Sequence, residues 1–327
     1  MNYIGSKAKL LSFIETTISE FVKNKLSEKI FCDLFAGSGC VGYHFAQKGY
    51  TIISNDAEYY SYVLNHAMLQ TTNLDGINER MVALNALPPI EGMMYQQYCL
   101  GSGSGRNYFS DANAQKIDAL RQGIEAYKDD EALYFYLLAS LLISADKVAN
   151  TASVYSAFLK KLKPLAQEKL HLRALELEHI PSLTAHQVYC TDANTLISTI
   201  EGDILYMDPP YNRRQYGANY HILNTIARYD SFTPKGKTGV RSYESSAYCK
   251  TTTALKALEK LIQEAKFSYI FISYNDEGII SQEAIMKMMQ KYGRYESVKV
   301  PHQRFKAYQN LKQKYYIYEH LHMLEKF

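Results

Sequence analysis

Ile30-Phe31-Cys32-Asp33-Leu34-Phe35-Ala36-Gly37-Ser38-Gly39 reads as a short buried strand running into a glycine turn, and Val41 to Lys48 follows with apolar and polar residues at helical spacing. Strand, glycine turn and helix form the first unit of a doubly wound α/β fold. There the glycines let the backbone approach a ligand, and the helix start supplies free N–H groups. Gly37, Gly39 and Gly42 stand in an FxGxGxxG context that is unusual for the nicotinamide fingerprint, so a dinucleotide reading stays only as an alternative. Further along, the apolar run Thr51-Ile52-Ile53 ends in Ser54-Asn55-Asp56. An acid at the tip of the second strand is where a ribose diol is usually held; the plain alternative for Asp56 is a helix cap.

A second strand end carries the chemistry. The apolar-rich run Gly202 to Met207 leads directly into Asp208-Pro209-Pro210-Tyr211. Two consecutive prolines remove two backbone donors and stiffen the turn, leaving carbonyl oxygens that only accept. An amino group on an aromatic ring needs such a place: the Asp208 carboxylate and the Pro209 carbonyl each take one N–H, turning the nitrogen lone pair out of ring conjugation, while Tyr211 stacks on the ring. A Pro-Pro turn that merely ends a strand is the plain alternative.

Asn2-Tyr3-Ile4-Gly5-Ser6-Lys7, Asp33-Leu34-Phe35-Ala36-Gly37-Ser38-Gly39 and Asp208-Pro209-Pro210-Tyr211 occur in the order of the α-group, Dam-like adenine-N6 DNA methyltransferases, and the chain resembles a restriction-modification member of that family. The resemblance implies a Rossmann-like, S-adenosylmethionine-dependent catalytic domain. It places Tyr3, Lys7, Asp33, Phe35, Gly37, Ser38, Gly39, Asp56, Asp192, Ala193 and Asp208 around the cofactor, with Asp56 on the ribose, Asp192 at the adenine and Lys7 near the methionine carboxylate. Gly5-Ser6 stands where many members have two glycines. Asp208, Pro209, Pro210 and Tyr211 become the catalytic set, and Phe271-Ile272-Ser273-Tyr274-Asn275-Asp276 resembles the strand bordering the target-base pocket. The implied partner is double-stranded DNA, with a cognate restriction endonuclease encoded nearby but not bound. CATG is a candidate recognition site by resemblance alone.

Composition sets bounds. A chain of 327 residues has room for one large catalytic domain and a smaller insertion, and a net charge of +3 means that any nucleic-acid surface must come from local clustering. Five cysteines without CxxC pairs suit reduced thiols in a cytoplasmic protein without a zinc ribbon. No metal site is expected: there is no HExxH, and His320 with His322 reads as an exposed alternation on a terminal strand. No run approaches a membrane span, and the chain starts directly with a motif instead of a signal peptide.

The strand–helix alternation is interrupted from 71 to 184, where helical patterns occupy 111 to 127, 130 to 150 and 153 to 178. The interruption divides the chain into 1–70, 71–184 and 185–327; the resemblance implies that these are the cofactor half of the catalytic domain, an inserted, mainly helical target-recognition domain, and the target-base half. Two segments are candidates for DNA contact. Arg106, Asn107 and Tyr108 follow the flexible Gly101-Ser102-Gly103-Ser104-Gly105, with Lys160, Lys161, Lys163, Lys169 and Arg173 gathered in the third helical pattern. Arg213 and Arg214 follow the tetrapeptide, and a polar stretch runs on through Lys235, Lys237 and Arg241. Competing readings are an RNA base methyltransferase, or a catalytically inactive DNA-binding regulator that would be expected to lose Asp208 or Gly37.

Overall fold

The structure is a computed structural model that describes residues 7–23, 26, 29–71, 73–181, 185–303 and 316–327. Seven strands make one sheet: β1 (Ile30–Asp33), β2 (Thr51–Asn55), β3 (Gln187–Tyr189), β4 (Glu201–Met207), β5 (Lys266–Asn275), β6 (Gly293–Gln303) and β7 (Tyr316–Lys326). Their order is β3-β2-β1-β4-β5-β7-β6. The first five positions run parallel, while β7 is antiparallel to both β5 and β6. The direction of the chain thus reverses beside β1, where β2 and β4 leave to opposite sides, which in open α/β sheets is where ligands bind.

Side-chain alternation explains why both faces of this sheet are covered. Cys32, Leu205, Met207, Ile270 and Ile272 enter one core with the helices Ala254–Glu264 and Gln282–Met289. Their neighbours in sequence point the other way. Phe31 stacks on Phe45 of the helix Cys40–Gln47 at 4.1 Å between ring centroids, and Phe271 meets Phe21 of the helix Leu11–Val22 edge-on at 5.8 Å. Strands buried on both sides are mostly apolar, and β4 is buried at every position from Ile204 to Met207, with the buried Asp203 before them satisfied by Ile30 N–H.

Two compact units are present. One takes in the described residues of Gly5–Asn65, His179–Gln215 and Ser245–Phe327, and so holds the whole sheet; the other takes in His66–Glu178 and Tyr216–Glu244. The second unit is built on the helices Ile77–Ala86, Met93–Tyr98, Asp111–Ile124, Glu131–Lys147 and His221–Arg228. Ser110 and Asp130 cap two of them by accepting from the N–H groups of Asn113 and Leu133. The helical unit is larger than the sequence interruption at 71–184. Arg121 donates to the carbonyls of Ile226 and Ala227, satisfying the end of the helix His221–Arg228, and Tyr155 N–H donates to the carbonyl of Asn219. Residues 216–244 therefore belong with the helices, not with the sheet beside which they stand in sequence.

The third expected helix, 153 to 178, is absent except for the single turn Pro164–Gln167. Asparagine side chains hold this stretch by its backbone instead. Asn107 donates to Leu159 and Lys160 carbonyls, Asn150 to Leu159, and Asn113 to Ala166 and Glu168, while Asn85 donates to the Leu172 carbonyl and accepts from its N–H. With the peptide groups satisfied from outside, the segment has no need of a helical ladder. His322 also departs from expectation: it is buried at 1% exposure, accepts from Tyr295 Oη at 2.8 Å and meets Gln282 Oε1 at 2.7 Å. Burial, with His320 adjacent, pushes its pKa down to about 3, so the neutral ring donates from Nε2 to Gln282.

Candidate active site

The carboxyl ends of β1 to β5 collect the residues that the sequence singled out. At β1 the chain leaves the sheet through Leu34, whose N–H still bonds the Tyr206 carbonyl, and Ala36, whose N–H bonds the Asn55 carbonyl. Gly37 and Gly39 then take φ of 54° and 78°, a left-handed region that costs glycine nothing, and the helix Cys40–Gln47 starts. Asp56, at the end of β2, ties this turn down: one carboxylate oxygen accepts from Gly37 N–H at 2.8 Å and the other from Glu58 N–H at 2.9 Å. Asp56 thus braces the glycine turn and holds the backbone just ahead of the helix Tyr59–Gln70, whose first N–H groups bond the Glu58 carbonyl.

Asp33 is buried and accepts from Gly42 N–H at 3.0 Å; burial pushes its carboxyl up to about 7, with Gly42 opposing. Phe35 is half-buried and meets Tyr248 edge-on at 5.0 Å, and Ser38 is half-buried within the turn. At β3 the chain ends in exposed Asp192, which caps the turn of helix begun by Ala193 through Thr195 N–H. Asn55 was overlooked in sequence. Its amide donates to the Leu34 and Thr191 carbonyls and accepts from Thr191 N–H, so one buried side chain fixes the ends of β1 and β3 about β2. Tyr3 lies outside the described residues.

The tetrapeptide follows β4. Asp208 Oδ2 pairs with Lys7 Nζ at 2.9 Å, and Lys7, 4% exposed, pairs in turn with Glu319 Oε1 at 3.1 Å. Asp208 Oδ1 is buried and has no hydrogen-bond partner among the described residues. That atom is an acceptor awaiting a donor, since burying a carboxylate oxygen unpaired costs about 1–3 kcal/mol or more. Burial raises the Asp208 pKa to about 6; Lys7 opposes this and Glu319 adds to it. Burial alone would lower Lys7, but Asp208 and Glu319 more than offset it, and the ammonium stays charged. Its charge is thus engaged by two protein carboxylates, where sequence reasoning aimed it at a cofactor carboxylate. Pro209 is buried, and Tyr211 is half-buried beside Tyr274 at 6.2 Å, with Lys7 Nζ 5.9 Å from its ring centroid. Glu319 was missed in sequence, because a lone acid in a terminal strand carries no spacing signal.

The residues nominated for DNA divide into two groups. Arg213, Arg214, Lys235 and Lys237 are exposed. Asn107 and Tyr108 are buried, and this corrects their assignment to a groove-reading loop: Asn107 serves the carbonyls described above, and the Tyr108 hydroxyl donates to Tyr155 O at 2.6 Å. Arg106 donates to Gln97 O at 3.2 Å and Gly236 O at 3.3 Å, and Arg241 pairs with Asp230 at 2.9 Å over the face of Phe232. Lys160, Lys161, Lys169 and Arg173 are exposed but share no helix face, because there is no helix. Among the described residues there is no cluster of three or more His, Cys, Asp or Glu side chains arranged for a metal ion, and no helix long and apolar enough to cross a membrane.

A doubly wound sheet whose strand ends carry a braced glycine turn, acidic tips and an Asp-Pro-Pro-Tyr turn defines a methyltransferase-type α/β domain. The chain belongs to the D12 class of N6 adenine-specific DNA methyltransferases, whose family model matches residues 3–288. It is 52% identical over 334 residues to the type II methyltransferase M.NlaIII of Neisseria lactamica, covering 100% of this chain and 99% of that protein. It is 37% identical over 319 residues to the type II methyltransferase M.CviAII of Paramecium bursaria Chlorella virus 1, covering 94% and 93%. With the type II methyltransferase M.FokI of Planomicrobium okeanokoites it shares 35% identity over 328 residues, 94% of this chain but 50% of that protein.

Proposed function

We propose that this N6 adenine-specific DNA methyltransferase is the modification enzyme of a type II restriction-modification system, acting on adenine flipped from duplex DNA with S-adenosyl-L-methionine as methyl donor. The observation that carries the site assignment is the buried Oδ1 of Asp208 at the end of β4, which has no hydrogen-bond partner among the described residues. In this reading Asp208 Oδ1 and the Pro209 carbonyl accept the two N–H groups of the target amine, and Tyr211 stacks on the base. A ring amine is a poor nucleophile. Orientation and hydrogen bonding at nitrogen supply the acceleration, and positioning alone is worth roughly 7–11 kcal/mol in favourable cases.

The donor set fits the methyl donor. The strand ends present the carboxylates of Asp33, Asp56 and Asp192, which are acceptors for hydroxyl and amino groups, around a glycine turn with no side chain at Gly37 or Gly39. Asp56 keeps lone pairs for a ribose diol while bracing the turn, Asp192 and Ala193 border the adenine, and Phe35 packs against the ligand from β1. S-adenosyl-L-methionine, when bound, supplies an electrophilic methyl on a sulfonium, and an acid-rich rim favours that cation. The helical unit is assigned to target recognition; Lys235 and Lys237 on that unit, and Arg213 and Arg214 on the sheet unit, are assigned to phosphates. The cognate endonuclease would be a neighbouring gene product, and cytoplasmic residence follows from a chromosomal substrate.

The test is Asp208→Ala. Methyl transfer to DNA, followed with a tritiated methyl group, should fall by ~10²-fold or more while calorimetric cofactor affinity stays within about threefold. Retention of a tenth of the rate would sink the role of Asp208. Mapping N6-methyladenine in an expressing host by long-read sequencing would give the recognition site directly, with CATG as the candidate.

A further inference from the structure

The Asp208 carboxylate is paired with Lys7 through Oδ2, and among the described residues its Oδ1 has no hydrogen-bond partner. Glu319 sits on β7, paired in register with Asn275 of β5 and Val300 of β6, so neighbouring strands fix its backbone on both sides. Its side chain is 3% exposed. Oε1 receives two donors, Lys7 Nζ at 3.1 Å and Ser273 Oγ at 2.6 Å. A line of contacts therefore runs from Ser273 through Glu319 and Lys7 to Oδ2 of Asp208, and stops there among the described residues, with Oδ1 unpartnered by any of them.

We infer that Glu319 is a positioning residue for methyl transfer: it holds the Lys7 ammonium against Oδ2 of Asp208, leaving Oδ1 open for the target amine. This rests on the proposed role of Asp208. An ammonium facing a single buried carboxylate is free to swing across both oxygens, and would then occupy the acceptor that the amine needs. A second carboxylate, anchored by Ser273 and by the sheet, pulls the ammonium to one side. It also divides the positive charge, so that Asp208 is less neutralised and remains a stronger acceptor.

The charge part has a sign that can be read in solution. The groups acting on Asp208 are Lys7 from the N-terminal turn and Glu319 from β7, with Tyr206 on β4, Tyr211 in the tetrapeptide and Asp33 on β1 around them. Burial sets the raised pKa of Asp208, near 6, and Glu319 contributes to the rise while Lys7 resists it. If ionised Asp208 is the working form, the wild-type rate falls as pH drops through that value. Removing the Glu319 charge lets Asp208 stay ionised to lower pH.

The experiment compares Glu319→Gln and Glu319→Ala with wild type in single-turnover methyl transfer from about pH 5 to about pH 9, alongside cofactor and DNA affinities. Glu319→Ala should lose about tenfold or more in rate at neutral pH with both affinities within about threefold, because only the acceptor geometry is disturbed. Glu319→Gln keeps an oxygen for Lys7 and Ser273. It should lose less rate, but its acid limb should move to lower pH. The inference is overturned if both variants keep wild-type rate and limb, or if rate and cofactor affinity fall together with the limb unmoved, which is what a scaffold role predicts. Should Glu319→Ala not fold, Glu319→Gln alone decides by its limb. Asp208→Ala separates the two readings: if it retains activity, the role of Asp208 itself fails, whereas an inactive Asp208→Ala beside silent Glu319 variants removes only the positioning role.

Discussion

Tyr211 is where stacking and polar chemistry can be told apart at one residue. Burial pushes its phenol up to about 12, against the opposing pull of Lys7, so the hydroxyl is neutral throughout the working range and offers no general base. If the ring is a platform for the flipped base, Tyr211→Phe should keep most of the activity, and Tyr211→Ala should lose ~1–3 kcal/mol of base stabilisation, about five- to 150-fold in kcat/KM. Equal damage from both substitutions would assign the phenol a polar task instead. Asp208 and Tyr211 were legible in sequence because two prolines after an apolar run announce a strand end with acceptor carbonyls. Glu319 was not. Its role exists only because β7 returns antiparallel beside β5 and sets it near Ser273, a pairing across 46 positions of sequence.

Among elements, the glycine turn and the extended stretch after Asn150 mark the limits of reading by pattern. β1, its turn and the helix Cys40–Gln47 follow from local rules, since Gly37 and Gly39 adopt the positive φ that a strand-to-helix turn requires. The 153–178 stretch has helical spacing yet is not helical, because the groups that hold it come from Asn85, Asn107, Asn113 and Asn150, and no window of sequence shows an asparagine which carbonyl it will meet. Asn150 carries the most. Its Nδ2 donates to the Asn107 and Leu159 carbonyls and its Oδ1 accepts from Lys163 N–H, with the residue fully buried. Asn150→Ala leaves these groups unpaired and should destabilise the helical unit by about 2–4 kcal/mol, lowering its melting transition by several degrees. Calorimetric cofactor affinity should hold, because Asp33, Phe35, Gly37, Asp56 and Asp192 all belong to the sheet unit. A melting temperature within about one degree of wild type would show that water replaces the amide at little cost.

On the scale of the whole molecule, a net charge of +3 leaves little general attraction for a polyanion, so affinity for DNA has to come from placed cations. Arg106 and Arg241 have internal partners. Arg106 donates to the Gly236 carbonyl and Tyr98 Oη to the Gly239 carbonyl, so both brace the turn closed by the Lys235–Val240 bridge. Lys235 and Lys237 stand exposed on that turn. If they reach phosphates, the double variant Lys235→Gln/Lys237→Gln should weaken binding to cognate and unrelated duplexes by similar factors. It should also flatten the plot of log affinity against log salt by about 0.9 per lost contact. Arg106→Ala should behave differently. It removes no phosphate contact of its own, so binding should weaken through a loosened turn while the salt slope changes less than in the double variant. Fluorescence anisotropy with a cognate and a scrambled duplex across a salt series measures both quantities. An unchanged slope in the double variant would take Lys235 and Lys237 off the DNA and leave Arg213 and Arg214, exposed beside the tetrapeptide, as the cations to test next.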